Sequence, residues 1–548
     1  MKIGKRGLVV IAGLVVVVAV GTILFSRYWY YLPGILQELR DPVQPNREVT
    51  WEQGPEEPAV PVAERAPNIV VILADDLGFN DLSFGGGGIA GVPTPNIDSI
   101  AKNGVTFVNG YSGNATCAPS RAAIMTGRYA TRFGFEFTPA PPQFAETIAT
   151  FADNGAVYFE EREKDAPPVD EMSVPLDEIY ISKMLKEQGY QTLMLGKWHL
   201  GGTDTTRPET RGFDEALGFM PGASLFLPKN DPNVVNSVQD FDPIDKFLWA
   251  NLPFAVQFNG GDRFEPSEYM TDYLTNEAVE AIQANRNRPF FMYLSYNAVH
   301  TPLQALKSDY DALSHIEDHT LRTYAAMIVA LDRGVGKVLD ELKAQGLDEN
   351  TIVIFTSDNG GANYVGLPDI NEPYRGWKAT FFEGGIHVPF FMQWPSRIEA
   401  GTRSERIAAH VDIFATAAAA AGAALPQDRV YDGIDLMRYV DGAGVVDRPL
   451  FFRSGHYRTL IKGGWKLQVA ERPEKAWLFH LAQDPTEQKN LAEKNPEKLG
   501  EMMAVLEEID GEQAPPIWPS LVEAPMMIDR PLGGAPRGPE DEYFYWAS

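Results

Sequence analysis

Apolar runs alternate with amphipathic segments from residue 67 to about residue 424. The runs are short and rich in β-branched and aromatic residues, which is typical of buried strands. The amphipathic segments repeat apolar residues at three- and four-residue intervals, which predicts helices. Strands are predicted at 69–73, 192–195, 289–296, 351–356 and 388–394, and helices at 181–188, 271–285 and 323–343. This alternation predicts an α/β fold with a large mixed, mostly parallel sheet sandwiched by helices.

The pattern changes after about residue 424, where short strands follow one another with tight turns between them. They are predicted at 450–453, 458–461, 465–469 and 477–481, and a helix is predicted at 496–509. Consecutive strands joined by tight turns favour a small antiparallel sheet. We therefore expect a main domain at 67–424 and a C-terminal subdomain of sheet plus helix at 425–510. The Pro-rich, acidic segment 511–548 is expected to cover the surface or to be loose.

The N-terminus carries an uncharged apolar run of about 18 residues from Leu8 to Phe25, close to the minimum that spans a bilayer as a helix. Three cations precede the run and are expected to stay in the cytoplasm, and four aromatic residues follow it and could occupy the headgroup layer on the opposite side. These residues are Lys2, Lys5 and Arg6, and Tyr28, Trp29, Tyr30 and Tyr31. Residues 1–26 thus predict a membrane anchor or a cleaved signal segment. The length of the run and the lack of a clear cleavage site favour the anchor.

Residues 27–66, which are rich in Pro and Glu from residue 32 onward, predict a linker between the membrane and the folded chain. Whether or not the first segment is cleaved, the rest of the chain is expected outside the cytoplasm, in the periplasm or at the cell surface. The chain has a single cysteine, Cys117, so it cannot form an internal disulfide bond there and must be stable through its core.

Composition and charge exclude disorder and disfavour nucleic-acid binding. A chain of 548 residues, 44% of them apolar, can bury a large core and fill one big domain plus a smaller one. The 47 Lys and Arg residues against 74 Asp and Glu residues give a net charge of −27. This charge repels phosphodiester backbones and anionic lipid surfaces, so we expect no nucleic-acid partner.

Four of the predicted strands end in a cluster of polar residues. Because ligands of open α/β sheets bind beyond the carboxyl ends of the strands, the four clusters are expected to converge on one site. The residues are Asp75 and Asp76, then Lys197 and His199, then His300, and finally Asp358 and Asn359.

Two of these clusters, Asp75 with Asp76 and Asp358 with Asn359, offer only oxygen ligands. Three carboxylates and an amide match a hard divalent cation, Ca²⁺ or Mg²⁺, better than zinc. An acidic pair after a strand can instead cap the next helix. Two such pairs after two buried strands favour the cation site.

The segment CAPSR, residues 117–121, opens a helical run that stops at Gly127. Pro119 suits the first turn of a helix, which places Cys117 just before or at the N-cap. An anion bound there would meet free backbone N–H groups and the positive end of the helix dipole. Arg121 could project beside Cys117 and supply donors for a tetrahedral oxyanion. For this pentapeptide alone, an ordinary Pro-started helix with an inert cysteine is the alternative.

These segments together resemble sulfatases, in which the cysteine of a Cys-x-Pro-Ser-Arg motif is oxidised to formylglycine by a separate maturation enzyme. CAPSR followed by AAIMTGR is similar to the family signature. Further blocks match in order: ADDLG at 74–78, GKWHLG at 196–201, VHTP at 299–302, TSDNG at 356–360, RGWKATFFEGG at 375–385, HVDIFAT at 410–416 and LFHLAQDPTEQKNLA at 478–492. The ordered set spans most of residues 67–492.

The resemblance implies an alkaline-phosphatase-like fold and hydrolysis of sulfate esters to an alcohol and sulfate. It also implies one divalent cation, Ca²⁺ in preference to Mg²⁺, and a formylglycine at position 117 whose hydrated form attacks sulfur. The implied metal ligands are Asp75, Asp76, Cys117, Asp358 and Asn359. The implied catalytic or sulfate-contacting residues are Cys117, Arg121, Lys197, His199, His300 and Lys378.

The resemblance further implies a role for each polar side chain. His300, with Lys378 nearby, protonates the leaving oxygen, and His199 takes the proton whose loss restores the aldehyde. Lys197 and Arg121 balance charge on the sulfuryl oxygens. One departure from the family pattern is His387, where relatives often have Arg; it bears on local packing or substrate contact more than on mechanism.

Two alternative functions stay open. A phosphomonoesterase, phosphodiesterase or phosphonate hydrolase could use the same scaffold, because phosphate and sulfate are similar tetrahedral anions. A dedicated phosphatase would more often have Ser or Thr as nucleophile and a second metal cluster rich in His, and most of the 8 histidines lie outside the strand ends. A membrane-tethered binding protein without activity would show gaps among the site residues, and the sequence shows none.

The sequence leaves the substrate open between an aryl sulfate, a sulfated glycan and an alkyl sulfate. Segments 139–171 and 203–264 are rich in Pro, Asn, Asp and aromatic residues and are expected to line the pocket mouth as loops. Trp249, Phe254 and Phe258 could stack on a sugar or aryl ring, and packing at the surface explains them equally well.

Overall fold

The computed structural model describes residues 5–152, 154–442, 448–534 and 538–548, with the side chains of 5–12, 17 and 23 left undescribed. Lys2 and the side chains of Lys5 and Arg6, predicted to be cytoplasmic cations, lie outside this description.

The strands are β1 Asn68–Ala74, β2 Val105–Tyr111, β3 Val157–Tyr158, β4 Gln191–Lys197, β5 Glu215–Phe219, β6 Val234–Ser237, β7 Gln257–Phe258, β8 Phe290–Ser295, β9 Leu303–Leu306, β10 Thr351–Ser357, β11 Phe390–Gln393, β12 Thr402–Ala409, β13 Leu450–Ser454, β14 Tyr457–Lys462, β15 Trp465–Glu471, β16 Glu474–His480, β17 Val522–Met527 and β18 Tyr543–Ala547. The α-helices are α1 Lys5–Tyr28, α2 Leu32–Arg40, α3 Pro95–Lys102, α4 Cys117–Thr126, α5 Pro142–Phe151, α6 Ile181–Glu187, α7 Pro243–Asn251, α8 Met270–Asn285, α9 Lys307–Ala312, α10 His319–Ala344, α11 Glu383–Ile386, α12 Val411–Ala420, α13 Met437–Val440 and α14 Pro496–Asp510.

Within the described residues, the largest sheet has nine strands in the order β12-β2-β11-β10-β1-β8-β4-β5-β7. The central strands β10, β1, β8, β4 and β5 are parallel, whereas β11 and β7 run antiparallel to their neighbours. In the middle of the sheet, Val70 pairs with Val353 on one side and with Met292 on the other. The predicted mixed, mostly parallel α/β fold is confirmed.

Helices cover both faces of this sheet. Val70 of β1 belongs to an apolar core that includes side chains of α3, α8 and α10. Val71, the next residue, belongs to a second core formed with α4, α6 and α12 on the opposite face. A strand buried on both faces needs apolar residues at every position, which explains why β1 has an unbroken apolar centre instead of an alternating pattern.

The four strands predicted after residue 424 form an antiparallel sheet in the order β13-β14-β15-β16, and α14 follows them. Aromatic residues of the main domain complete the core of this sheet. Phe381 stacks on Tyr457 with ring centroids 4.6 Å apart, and Phe382 meets Trp477 edge to face at 5.6 Å. The small sheet is therefore packed against the segment 375–385.

Residues 511–548 were expected to cover the surface or to be loose, and in their described part the second alternative does not hold. β17 pairs with both β18 and β3 in a three-stranded sheet. Ile528 and Phe544 are fully buried. The Pro-rich, acidic composition obscured two short strands whose apolar residues pack on the C-terminal subdomain.

The N-terminal segment contains a helix that is long and apolar enough to cross a membrane. The candidate span lies within Gly13–Arg40, has a mean hydropathy of 1.5 and is almost entirely exposed. The predicted linker is more ordered than expected, because it contains α2 and the buried Trp51. Tyr30 is also buried and packs edge to face on Phe151 at 5.5 Å, so it contacts the main domain and not a headgroup layer.

A buried charge cluster joins the C-terminal sheet to the main domain. Lys466 of β15 lies 2.7 Å from Glu383 and 3.0 Å from Glu487. Burial acts to raise the pKa of Glu383, but Lys466 and His387 hold it at about 2. Nδ1 of His387 lies 2.9 Å from a carboxylate oxygen of Glu383, and Nε2 lies 2.8 Å from the carbonyl oxygen of Val108. His387 therefore links the segment 375–385 to β2.

Replacing Lys466 with Met is expected to lower the free energy of unfolding by about 3–5 kcal/mol, because two carboxylates then stay buried without their cation. Urea denaturation of the purified protein measures this loss. The half-buried Lys462 on the neighbouring strand provides the control, and Lys462→Met is expected to change stability by about 0.5 kcal/mol or less. If the two substitutions lowered the free energy of unfolding equally, Lys466 would not be the residue that compensates the buried charge of Glu383 and Glu487.

Candidate active site

Cys117 is the first residue of α4, after the extended Thr116. It lies one position further into the helix than its predicted place before or at the N-cap. The side chain is buried, and Sγ lies 3.8 Å from Oδ1 of Asp75 and 3.8 Å from Oδ1 of Asp76. The helix N-terminus therefore presents this side chain directly to the acidic end of β1.

The two acidic clusters meet because their strands are neighbours. Ala74 at the end of β1 pairs with Ser357 at the end of β10, so the residues that follow lie side by side. The backbone N–H of Asp76 donates to Oδ1 of Asp358 at 3.2 Å. All three carboxylates are at most 3% exposed, and such a concentration of buried negative charge needs positive charge beside it.

Three cations supply part of this charge: Lys197 and Arg121 are fully buried, and the side chain of Lys378 is 11% exposed. Lys197 donates to both oxygens of Asp75, at 2.9 and 2.7 Å. Lys378 donates to Oδ2 of Asp76 at 2.8 Å and lies 3.0 Å from Sγ of Cys117. Arg121 donates to Oδ2 of Asp358 through Nε at 2.9 Å and through a terminal nitrogen at 2.6 Å.

The position of Arg121 corrects its predicted orientation. Its guanidinium is fully buried and bonds Asp358, the hydroxyl of Ser295 and the carbonyl of Lys197. The fork of donors is thus directed at the carboxylate instead of at the open pocket. Arg121 fixes Asp358 and contributes its charge to the anion site from behind.

The donor atoms of Asp75, Asp76, Cys117 and His300 all lie within 4.8 Å of one another. Asn359 is fully buried, and its amide nitrogen donates to Oδ1 of Asp76 at 2.8 Å. Its carbonyl oxygen Oδ1 has no hydrogen-bond partner among the described residues. A buried amide oxygen without a donor is the arrangement expected of a group that faces a cation.

Burial raises the pKa of the Cys117 thiol to about 12, because Lys197 and Lys378 offset only part of the desolvation. Burial also raises the pKa of Asp75 to about 7 although Lys197 lies beside it. The unmodified thiol is therefore protonated at neutral pH, and the thiolate required of a cysteine nucleophile is scarce.

The two histidines are neutral and differ in their hydrogen bonds. Burial lowers the pKa of His300 to about 3, and its Nδ1–H donates to the carbonyl of Thr301 at 2.5 Å. Its Nε2 consequently faces the site, 3.7 Å from Oδ2 of Asp76. Burial likewise lowers the pKa of His199, and neither of its ring nitrogens makes a hydrogen bond of normal geometry within the described part of the chain.

Three residues at the site have a left-handed backbone that side chains disfavour. The φ angles are 59° at Asp76, 61° at His199 and 69° at Ala379, which follows Lys378. Each such conformation costs about 1–3 kcal/mol and persists only where the surrounding structure enforces it. The fold thus places these strand-end residues against their local preference.

Tyr364 is a site residue that sequence reasoning missed. Its hydroxyl donates to Oδ2 of Asp76 at 2.9 Å. The only signal was its place six residues after Asp358 in a glycine-rich loop. His410 is buried as well, and its two ring nitrogens lie 3.0 and 3.1 Å from the hydroxyls of Ser120 and Thr356.

A cavity of about 1000 Å³ opens above Cys117 and is also lined by His199, His300 and Lys378. Parts of both segments that were expected to line the pocket as loops do line it, over 139–154, 169–170 and 218–257 among others. They are not loops throughout, because they contain helices α5 and α7 and strands β3, β5, β6 and β7. The three aromatic residues proposed for stacking pack elsewhere. Phe254 is buried in the core, Phe258 meets Trp51 at 5.3 Å, and Trp249 donates to Asp245 at 3.0 Å.

The fold and the site define a hydrolase of esters of tetrahedral oxyanions, with buried acids, buried cations and a helix N-terminus converging at the strand ends. The profile described as Sulfatase matches residues 67–423. The N-acetylgalactosamine-6-sulfatase of Mus musculus is 33% identical over 404 residues, covering 72% of this chain and 70% of that protein. The steryl-sulfatase of Homo sapiens is 31% identical over 450 residues, covering 69% and 70%.

Among solved structures, the crystal structure of Ps i-CgsB in complex with k-i-k-neocarrahexaose has a TM-score of 0.68 and 33% sequence identity, covering 83% of this chain and 95% of that chain. The chain belongs to the sulfatase family. It is a sulfuric ester hydrolase. The similar proteins do not favour a phosphomonoesterase, phosphodiesterase or phosphonate hydrolase over a sulfatase.

Proposed function

We propose that the protein cleaves sulfate esters outside the cytoplasm, using a formylglycine made from Cys117 and one divalent cation, Ca²⁺. The observation that supports this proposal most directly is the position of Cys117 at the start of α4, with Sγ 3.8 Å from carboxylate oxygens of both Asp75 and Asp76. This side chain lies at the base of the cavity, where an ester entering from solvent would meet it.

The residues present fit a hard cation. The carboxylates of Asp75, Asp76 and Asp358, the unbonded amide oxygen of Asn359 and the side chain at 117 would hold it. When bound, the cation supplies charge that polarises its oxygen ligands, and formylglycine supplies a hydrated aldehyde hydroxyl in place of the thiol.

The buried cations prepare the site for a sulfate group. Arg121 is a positioning residue, because it holds Asp358 through two hydrogen bonds. Lys197 neutralises Asp75 and places a positive charge behind the sulfuryl oxygens. The first turn of α4 adds backbone N–H groups that have no acceptor within the helix.

Proton transfer is assigned to three side chains around residue 117. The ammonium of Lys378, 3.0 Å from Sγ, carries the proton that the ester oxygen needs when it leaves as an alcohol. Nε2 of the neutral His300 faces the same place as an acceptor and would donate only after taking up a proton. His199, whose ring nitrogens have no hydrogen-bond partner among the described residues, accepts the proton that residue 117 loses when sulfate is released. A maturation enzyme that recognises the CAPSR segment is a required partner, and α1 tethers the enzyme to a membrane.

Mass spectrometry of the peptide that contains Cys117 tests the proposal. Co-expressed with a maturation enzyme, the protein should show formylglycine in place of cysteine and hydrolyse 4-nitrophenyl sulfate. Cys117→Ala should lower kcat by roughly 10³-fold or more, because the nucleophile is absent. Full activity with an unconverted thiol would disprove the assignment.

Asn359→Ala is expected to weaken Ca²⁺ binding about 10- to 100-fold, because it removes an oxygen that faces the cation. Isothermal titration calorimetry on the chelator-stripped protein measures the affinity. Asn363, on the same loop and equally buried, donates to the sulfur of Met526 and provides the matched control. Asn363→Ala should bind Ca²⁺ like the wild type, and equal weakening in both variants would argue against the site.

Gly222→Ala is expected to lower kcat about 10²-fold, because it displaces the ring of His199. A Cβ at Gly222 would lie 2.7 Å from Cε1 and 2.8 Å from Nε2 of that ring. At Gly202, on the same cavity, the nearest atom would be Oδ1 of Asp170 at an ordinary 3.5 Å. In steady-state kinetics on 4-nitrophenyl sulfate, kcat of Gly202→Ala should therefore be close to that of the wild type. A similar loss of kcat in both variants would refute the role of His199.

A further inference from the structure

Helix α2 carries an apolar stripe that no other part of the described structure covers. The stripe consists of Leu32, Ile35, Leu36 and Leu39, at the spacing of one helix face about 100° wide. Leu39 is 75% exposed and Ile35 is 51% exposed. A contiguous exposed apolar face marks a surface that another apolar phase covers.

The side of α2 opposite the stripe packs against the main domain. The backbone N–H of Gly34 donates to Oδ1 of Asn251 at 2.7 Å, and Asn251 donates to the carbonyl of Tyr30 at 2.9 Å. A Cβ at Gly34 would lie 2.8 Å from Cα of Asn251, so the two backbones are in close contact. Arg263 pairs with Asp41 at 2.9 Å just after the helix. The stripe is thus held in a fixed position.

The same helix forms part of the wall of the active-site cavity. Pro33, Gly34, Leu36, Gln37 and Arg40 line the cavity whose base holds Cys117. Leu36 belongs to both the stripe and the cavity wall, so the stripe continues into the mouth of the site.

Apolar side chains also dominate the rest of the mouth. Phe151 and Phe241 line the cavity and are 37% and 43% exposed. Deeper in the wall lie Phe144, Ile148, Phe247 and Met526. This lining suits an apolar group attached to the ester better than a strongly hydrated sugar.

The segment that precedes the stripe in the chain indicates that the apolar phase in contact with the stripe is a lipid bilayer. The candidate membrane span lies within Gly13–Arg40 and so includes α2, but the helical backbone is interrupted at Tyr28, the last residue of α1, with φ −127° and ψ 14°. Only the short turn Trp29–Tyr31 separates α1 from α2. Because of this interruption, α2 does not have to continue along the axis of α1. A bilayer that α1 crosses therefore lies close enough to contact the stripe.

We propose that α2 lies in the surface layer of the bilayer that α1 crosses, and that it opens the cavity to sulfate esters bearing a long apolar chain. This deepens the proposed function and rests on it. The apolar chain of the substrate stays in the lipid or contacts Leu36, Phe151 and Phe241, while the sulfate group reaches residue 117. With a net charge of −27, the protein binds this surface by apolar insertion and not by attraction to anionic lipid.

The test uses the full chain with converted Cys117, reconstituted in phosphatidylcholine vesicles. The probes are 4-methylphenyl sulfate, which stays in water, and 4-dodecylphenyl sulfate, which enters the vesicles; both release 4-alkylphenols of similar acidity, so their intrinsic reactivity is matched. The wild type should favour the dodecyl ester by about tenfold or more in kcat/KM. Ile35→Gln/Leu39→Gln should lose about tenfold on the dodecyl ester and stay within about twofold of the wild type on the methyl ester.

Leu176 and Val430, 61% and 56% exposed, provide a matched control away from α2. Leu176→Gln/Val430→Gln should behave as the wild type with both esters. The inference is overturned if the dodecyl ester gains nothing, if the control pair loses as much as the stripe pair, or if the stripe variant only abolishes a dimer seen by sedimentation. Failure of the converted wild type on both esters would instead refute the proposed function itself.

Discussion

The buried carboxylates at the ends of β1 and β10 impose the constraint on which the site depends. Asp75, Asp76 and Asp358 are removed from water, and isolated charges cannot be buried at that depth without compensation. Lys197, Lys378 and Arg121 each approach one of them. The ligand atoms of Asp75, Asp76, Cys117 and His300 lie within 4.8 Å of one another, and the carbonyl oxygen of Asn359 has no hydrogen-bond donor among the described residues; a divalent cation held here would complete the charge balance.

The strand order brings the other active-site residues next to these carboxylates. β10, β1, β8 and β4 are consecutive in the sheet, and each ends in site residues. The C-terminal sheet supports the same site from the side, because its core includes Phe381 and Phe382 from the segment that carries Lys378. The cluster of Lys466, Glu383 and Glu487 fixes that segment with buried ion pairs. Packing, buried charge and chemistry are therefore coupled across both sheets.

Much of this arrangement could be predicted from the sequence because it is local. Asp75, His300 and Asp358 each follow an apolar run that can only be a buried strand, and parallel strands end at one edge. The partner of Arg121 and the contact of Tyr364 depend on which strands and loops become neighbours, and no local pattern specifies that. The segments around α2 and β18 were missed because their Pro-rich, acidic surroundings resemble linkers, whereas long-range contacts order them.

A crystal structure of the converted protein grown with Ca²⁺ tests the central claim most directly. One ion should lie about 2.3–2.6 Å from oxygens of Asp75, Asp76, Asp358 and Asn359, with the side chain at 117 directed at it from the start of α4. Electron density without an ion among these oxygens, or a residue 117 directed into the apolar core, would contradict the account.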